Sequence, residues 1–300
     1  MTGDLNAATV QKPKFSLWAI ALTLCIAVLN IVVYFYQLNY AAPLDSQENN
    51  LLLFGANVYQ LSLTGDWWRY PVSMVLHSGG MHLALNTLAL FVIGIECERN
   101  YGKFRMLAIY LFSGIGAAFF SAYWQYQEAL KEVASQASLN TWSSLYLPDN
   151  TVYITVSIGA SGAIMGLAAA SVIYLLKAIN NPALSIEQRN QLKRPLYNIM
   201  AMIGLTLVNG LQSGIDNAAH IGGAVLGAFI SGAFVLAPQA TNRGKFTSSI
   251  LITLIAAILL FFALNQYSSS DDEELNYERQ FIYQEMEKEF NQWQSWALTR

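Results

Sequence analysis

The chain has 300 residues, of which 54% are hydrophobic and 12% charged, and its formal net charge is −3 at pH 7. A soluble domain carries about twice that share of charged residues, which excludes an ordinary water-soluble core. Two cysteines are too few for a disulfide framework, and no nucleic-acid partner, metal or cofactor is expected.

The charges are confined to short segments between charge-free runs. Residues 1–14 form an N-terminal segment with Lys12 and Lys14, and the run Phe15–Gln37 follows. That run is too long for the apolar core of a cleavable signal and no small-residue cleavage site follows it, so it reads as a retained first helix. The segment Ala41–Arg69 is long for a connection within a bundle. It holds Gly55-Ala56-Asn57 and Gly65-Asp66-Trp67-Trp68-Arg69, and its Leu, Trp and Tyr content makes it amphipathic. An interfacial aromatic belt and a loop that shapes the outer face both fit it. The later runs are Pro71–Ile95, Met106–Gln127, Thr151–Leu176, Pro195–Ile215, Asn217–Thr241 and Phe246–Ser270. Each supplies roughly 20 helical residues, enough to cross about 30 Å of hydrocarbon, so seven spans are expected. Cys25 falls in the first and Cys97 at the end of the second, and both are expected to act as small buried apolar residues. Tyr126–Asp149 reads as a long polar connection. The tail opens with Asp271-Asp272-Glu273-Glu274, which suits a helix N-terminus, and Ile282, Met286, Phe290, Trp293 and Ala297 recur at helical spacing. An amphipathic surface helix docking on the bundle or the bilayer and a solvated or partner-dependent tail both fit it.

With the connections alternating sides, 11 of the 16 Lys and Arg residues fall on the side of the N-terminus, while 15 of the 19 acidic residues fall on the other. By the positive-inside rule the N-terminus is cytoplasmic, and an odd number of spans puts the C-terminus outside. Spans two, four and six then run inward from the outer face.

Ionisable groups inside a bilayer are costly and ask for a function. All three histidines, His77, His82 and His220, lie in or at the edge of spans that enter from outside, and so does Ser161. At about 1.5 Å of rise per residue, residues a few positions inside three parallel spans share one depth, so Ser161, His82 and His220 can meet near the outer surface. Gly159-Ala160-Ser161-Gly162-Ala163-Ile164-Met165-Gly166 and His220-Ile221-Gly222-Gly223-Ala224-Val225-Leu226-Gly227 give spans four and six faces of small residues, which let backbones approach closely in lipid. Each signal alone is ordinarily packing; a catalytic site is the reading that explains them together.

From about Gly55 to Gly227 the chain resembles the rhomboid proteases. The matching pieces, in family order, are Gly-Asp-Trp-Trp-Arg at 65–69, His77-Ser-Gly-Gly-Met-His82-Leu-Ala-Leu-Asn86, Glu98-Arg-Asn-Tyr-Gly102, Gly159-Ala-Ser-Gly162 and Gly214-Ile-Asp-Asn-Ala-Ala-His220-Ile-Gly-Gly223. The resemblance implies an all-α membrane protein, a rhomboid-like six-helix bundle with a C-terminal seventh transmembrane helix. It implies an intramembrane serine endopeptidase working by a dyad, with Ser161 as nucleophile and His220 as general base. His82 and Asn86, with the Ser161 backbone N–H, would stabilise the oxyanion. Trp68, Arg69, Gly159, Gly162, Gly223 and Gly227 would be structural support, and His77 a supporting residue. Asp216, four residues before His220, is expected to cap the sixth span rather than to complete a triad.

The expected division is a cytoplasmic segment 1–14, a membrane domain 15–265 and an acidic, amphipathic extracytoplasmic tail 266–300, the last dispensable for chemistry. The partners implied are transmembrane protein substrates and the lipid bilayer, and the expected location is the inner membrane of a bacterial cell. The competing readings are a catalytically inactive rhomboid-like protein that binds membrane helices, which should lack Ser or His of the dyad, and a small transporter, which would show carboxylates within its spans.

Overall fold

A computed structural model describes residues 17–40, 47–139, 152, 154–212, 214–237 and 242–298. Segment 1–14 and the second half of Tyr126–Asp149 lie outside these. Without water to satisfy their backbones, the apolar runs must bond internally, and all seven are helical. A 3-10 turn, Leu17–Ile20, leads into α1 (Ala21–Tyr40). The connection after α1 contains three short helices, α2 (Gln47–Leu53), α3 (Tyr59–Ser62) and α4 (Arg69–Ser73). Then come α5 (Gly80–Ala89), a π turn (Leu90–Gly94) and α6 (Ile95–Tyr101), which are continuous. Gly102, at φ +79°, ends α6 and lets α7 (Lys103–Leu139) start at once. The remaining helices are α8 (Ser161–Ile179), α9 (Ile186–Asn209), α10 (Asn217–Leu236), α11 (Asn242–Tyr267) and α12 (Glu273–Ala297).

Six of the helical stretches are long and apolar enough to cross a membrane. The fifth run is not among them, because the first half of α9 carries Glu187, Arg189, Lys193 and Arg194. It still bridges the two ends of the bundle. The Lys177 ammonium near the end of α8 donates to the Val235 carbonyl near the end of α10. Asn217 at the start of α10 donates to the Leu207 carbonyl near the end of α9, at 3.0 Å. So α9 starts beside the end of α10 and finishes beside its start. Its 24 residues span roughly 36 Å at helical rise. The fold is a six-helix bundle with α11 as a seventh helix at its edge.

α7, α8 and α10 form the centre. A Cβ added to Gly223 or Gly227 would overlap the backbone of Gly162 or Gly166, so α8 and α10 touch backbone to backbone. Around this contact packs the main apolar cluster, including Ile109, Leu167, Ala168 and Phe234, all fully buried. One end of the bundle is tied by polar groups. Glu98 accepts from the Leu22 and Thr23 amides at 3.0 and 2.8 Å and from the Thr23 hydroxyl at 2.8 Å, capping the start of the first span. Arg105 donates to the Ser249 hydroxyl at 2.7 Å. The opposite end carries the short helices and α12.

Three expectations change. The second span begins at Gly80, not Pro71, because Met74–Gly79 leaves the helix, and this puts His77 just outside it. The polar stretch after Gln125 continues α7 to Leu139 instead of forming a loop at once. Cys25 is exposed on the outside of α1 while Cys97 is buried; an apolar helix face turned to lipid accepts a thiol as readily as a core does.

Candidate active site

Ser161 is the first residue of α8 and His220 the fourth of α10. Gly159, at φ +108°, turns the chain into α8 and presents Ser161 on its first turn. The close α8–α10 contact then sets Ser161 Oγ 3.0 Å from His220 Nε2, within the range for a nucleophile and its base. His220 is buried, and its Nδ1 has no hydrogen-bond partner among the described residues. An imidazole that accepts at Nε2 carries its proton on Nδ1.

His82 and Asn86 lie one turn apart on α5, on the same face. A Cβ at Gly159 would lie 2.7 Å from His82 Nε2 and 3.3 Å from Asn86 Nδ2, so both nitrogens flank the turn that delivers Ser161. Asn86 is buried and its Nδ2 is unpartnered among the described residues. The Ser78 hydroxyl sits 3.1 Å from His82 Nδ1; a hydroxyl donating there leaves the ring proton on Nε2, the atom facing Gly159. The first N–H groups of a helix have no intrahelical acceptor, which leaves the Ser161 amide free to donate beside them. Two side-chain nitrogens therefore lie at the turn that leads into Ser161, whose hydroxyl meets His220.

His77 packs its ring edge-on against His82, with centroids 5.1 Å apart. Its backbone exchanges hydrogen bonds with the Gln37 side chain of α1, at 3.2 and 3.4 Å. Burial, with the neighbouring His82 ring, lowers its pKa to about 4 against the opposing bond to the Val75 carbonyl, so it is a neutral wedge beside His82.

Among the described residues Asp216 makes no side-chain hydrogen bond to the imidazole. Its Oδ1 accepts the Ala219 amide at 2.9 Å, the N-cap bond of α10. Its Oδ2 accepts the hydroxyls of Ser121 on α7 and Ser157 ahead of the nucleophile. Ser78, Ser121 and Ser157 were not singled out from the sequence, where an isolated serine carries no signal; only folding brings positions 95 and 59 residues away to Asp216. Arg69 is buried, with Nε on Asp66 at 3.0 Å and Nη1 on the carbonyls of Leu52 and Ala56 at 3.0 and 3.2 Å. Trp68 closes over Gly55, where a Cβ would lie 2.7 Å from the indole.

A family model for the rhomboid domain matches residues 64–239. The chain belongs to the rhomboid family. It is 59% identical over 279 residues to the rhomboid protease AarA of Providencia stuartii, covering 92% of this chain and 93% of that one. It is 31% identical over 271 residues to the rhomboid protease GluP of Bacillus subtilis (strain 168), covering 89% of this chain but 44% of that longer protein. RHOMBOID-like protein 6, mitochondrial, of Arabidopsis thaliana is 28% identical over 218 residues, 72% of this chain and 59% of that one. The protein is thus an intramembrane serine protease, a multi-pass integral membrane protein acting on transmembrane substrates. In this rhomboid protease the chain turn at Gly159 leads into Ser161, and the small-residue seam at Gly162, Gly223 and Gly227 joins the two helices that carry Ser161 and His220.

Proposed function

We propose that Ser161 and His220 are the catalytic dyad of this intramembrane endopeptidase, with His82 Nε2, Asn86 Nδ2 and the Ser161 amide as the oxyanion donors. The observation that carries the reading is the 3.0 Å contact between Ser161 Oγ and His220 Nε2 beside two donor nitrogens that flank Gly159. Ser161 Oγ attacks the scissile carbonyl carbon while its proton passes to His220 Nε2. The carbonyl oxygen takes the negative charge and receives the three N–H donors. Collapse of the intermediate breaks the C–N bond, and His220 returns the proton to the leaving amine. Water then attacks the acyl-enzyme by the same route and frees Ser161. A donor aimed at a developing oxyanion is worth about 3 kcal/mol of barrier. A substrate helix hides its carbonyls in hydrogen bonds, so it must unwind locally before attack, and Gly, Ala or Ser near the scissile bond eases this.

The site stands at the end of the bundle opposite the buried caps of Glu98 and Arg105, which fits an opening to the outside of a bacterial inner membrane. In this reading residues 1–14 are cytoplasmic, residues 15–265 form the membrane domain and residues 266–300 an extracytoplasmic tail. Co-expression with a tagged single-pass substrate tests the dyad: Ser161→Ala should abolish cleavage, and fluorophosphonate labelling of the wild type should vanish in both Ser161→Ala and His220→Ala. Labelling that persists in His220→Ala assigns the base elsewhere.

A further inference from the structure

The polar groups at the outer end form one connected set that begins in the tail. Arg279 of α12 donates to the Leu61 carbonyl at 3.1 Å, the Thr64 hydroxyl at 2.7 Å and Asp66 Oδ1 at 2.7 Å. Tyr283, one turn on, donates to Asp66 Oδ2. That oxygen also accepts Arg69 Nε, and Arg69 holds the carbonyls of Leu52 and Ala56. The next residue, Asn57, pairs its backbone with Ser157 at 2.8 and 3.3 Å and its side-chain amide with the Ala118 carbonyl at 2.9 Å. Ser157 in turn donates to Asp216, the cap of the helix that bears His220, and lies four residues before Ser161.

Apolar burial follows the same course. Ile282 is fully buried among Leu52, Val58 and Leu61, and Leu275 among Tyr59 and Leu63. The Trp293 indole donates to the Tyr40 carbonyl at 3.0 Å. Asp66 and Arg69 are almost completely buried. A buried charge that loses one of its partners is strongly destabilised and pulls its remaining partners out of place, so what happens at Arg279 is felt at Arg69.

We propose that α12 is a strap that sets the active site: Arg279 and Tyr283 are positioning residues that act through Asp66 and Arg69 on the Asn57–Ser157 pairing, and so on the segment that places Ser161 against His220. This rests on the reading of Ser161 and His220 as the dyad, and it gives the tail a part in catalysis that the expectation of a dispensable tail does not include.

The test uses full-length Arg279→Ala, Arg279→Lys, Tyr283→Phe and Lys288→Ala, the last an exposed residue that pairs with Glu285. Each is measured for its rate of Ser161 labelling by a fluorophosphonate, its kcat and KM on a transmembrane substrate, and its thermal midpoint. A nucleophile displaced by a fraction of an ångström loses rate rather than affinity, so Arg279→Ala should lower labelling and kcat on the order of tenfold with KM unchanged. Arg279→Lys, which keeps the charge but gathers its donors on one nitrogen in place of a planar fork, should recover part of the loss. Tyr283→Phe should fall in the same direction by about threefold, and it carries the test if Arg279→Ala does not fold. Lys288→Ala should match the wild type. Wild-type labelling in folded Arg279→Ala, or in Tyr283→Phe where only that variant folds, would overturn the proposal; so would a lower thermal midpoint with unchanged kcat. Failure of the dyad reading has a different signature, labelling that survives in His220→Ala.

Discussion

At Gly159 a single missing carbon keeps the site open. Any Cβ there would press on His82 and Asn86, and the φ of +108° is one that side-chain-bearing residues rarely adopt. Gly159→Ala should therefore remove at least 100-fold of turnover, an effect of both strain and a filled oxyanion space, with α-helical circular dichroism unchanged; cleavage within a few-fold of wild type would place the oxyanion elsewhere. His82→Ala and Asn86→Ala act only where charge develops, so kcat should fall by roughly 100-fold in each while apparent affinity holds. Asp216 separates a dyad from a triad. Its carboxylate serves an amide and two hydroxyls, and it makes no hydrogen bond to His220 Nδ1. Asp216→Asn keeps an oxygen for the cap and should retain most labelling and cleavage. A loss of several orders of magnitude in folded Asp216→Asn would make the carboxylate part of the catalytic unit, as in a Ser-His-Asp enzyme.

At the scale of elements, periodicity made the helices legible, and the ordering of His82, Ser161 and His220 near three entry points made their meeting at one end of the bundle legible, because both depend on spacing within a span. What stayed hidden was long-range pairing. The register of Ile282, Met286 and Trp293 signals an amphipathic helix, but nothing within the tail names Asp66 as the partner of Arg279, 213 residues away. The helix bounds of the second span were hidden for a related reason: Met74–Gly79 is apolar like a span, yet its backbone turns away because Ser73 and Gln37 bind Gly159 and His77 there. The strap also carries a pH dependence. Burial raises the Asp66 pKa, but hydrogen bonds from Tyr283, Arg69 and Arg279 outweigh it and hold the carboxyl below its ordinary value. A depressed carboxylate stabilises fully above its unfolded value of about 3.9 and loses that stabilisation as pH falls through the folded value. Amide deuterium uptake across α12 should thus stay constant from neutral pH down to about 4 and rise below it, relative to α8. Uptake that does not change through that window would mean that Asp66 does not hold the helix.

At the scale of the whole molecule, charge bias and contacts give the same path by independent routes. Counting charges needs a crossing between Lys177 and Asn217, although the helix there is too polar in its first half to be recognised by hydropathy. The contacts require it too: α8 ends beside the end of α10 through Lys177, and α9 ends beside the start of α10 through Asn217. With α9 counted, seven helices connect the ends of the bundle. The start of the first span then lies with Glu98 and Arg105, and α12 lies with the short outer helices on the catalytic side. Two ends on opposite faces demand an odd number of crossings, and in the proposed orientation the basic residues at the Glu98 end face the cytoplasm. A fluorescent reporter that matures only in the cytoplasm should stay dark when fused after Arg300 and fluoresce when fused ahead of Met1. The decisive position is the α8–α9 connection: a reporter inserted at Pro182 should fluoresce, whereas one inserted at Gly210, after α9, should not. Fluorescence from both insertions would mean that α9 lies along the cytoplasmic face without crossing, and the site at Ser161 and His220 could not then face outward on both of its helices.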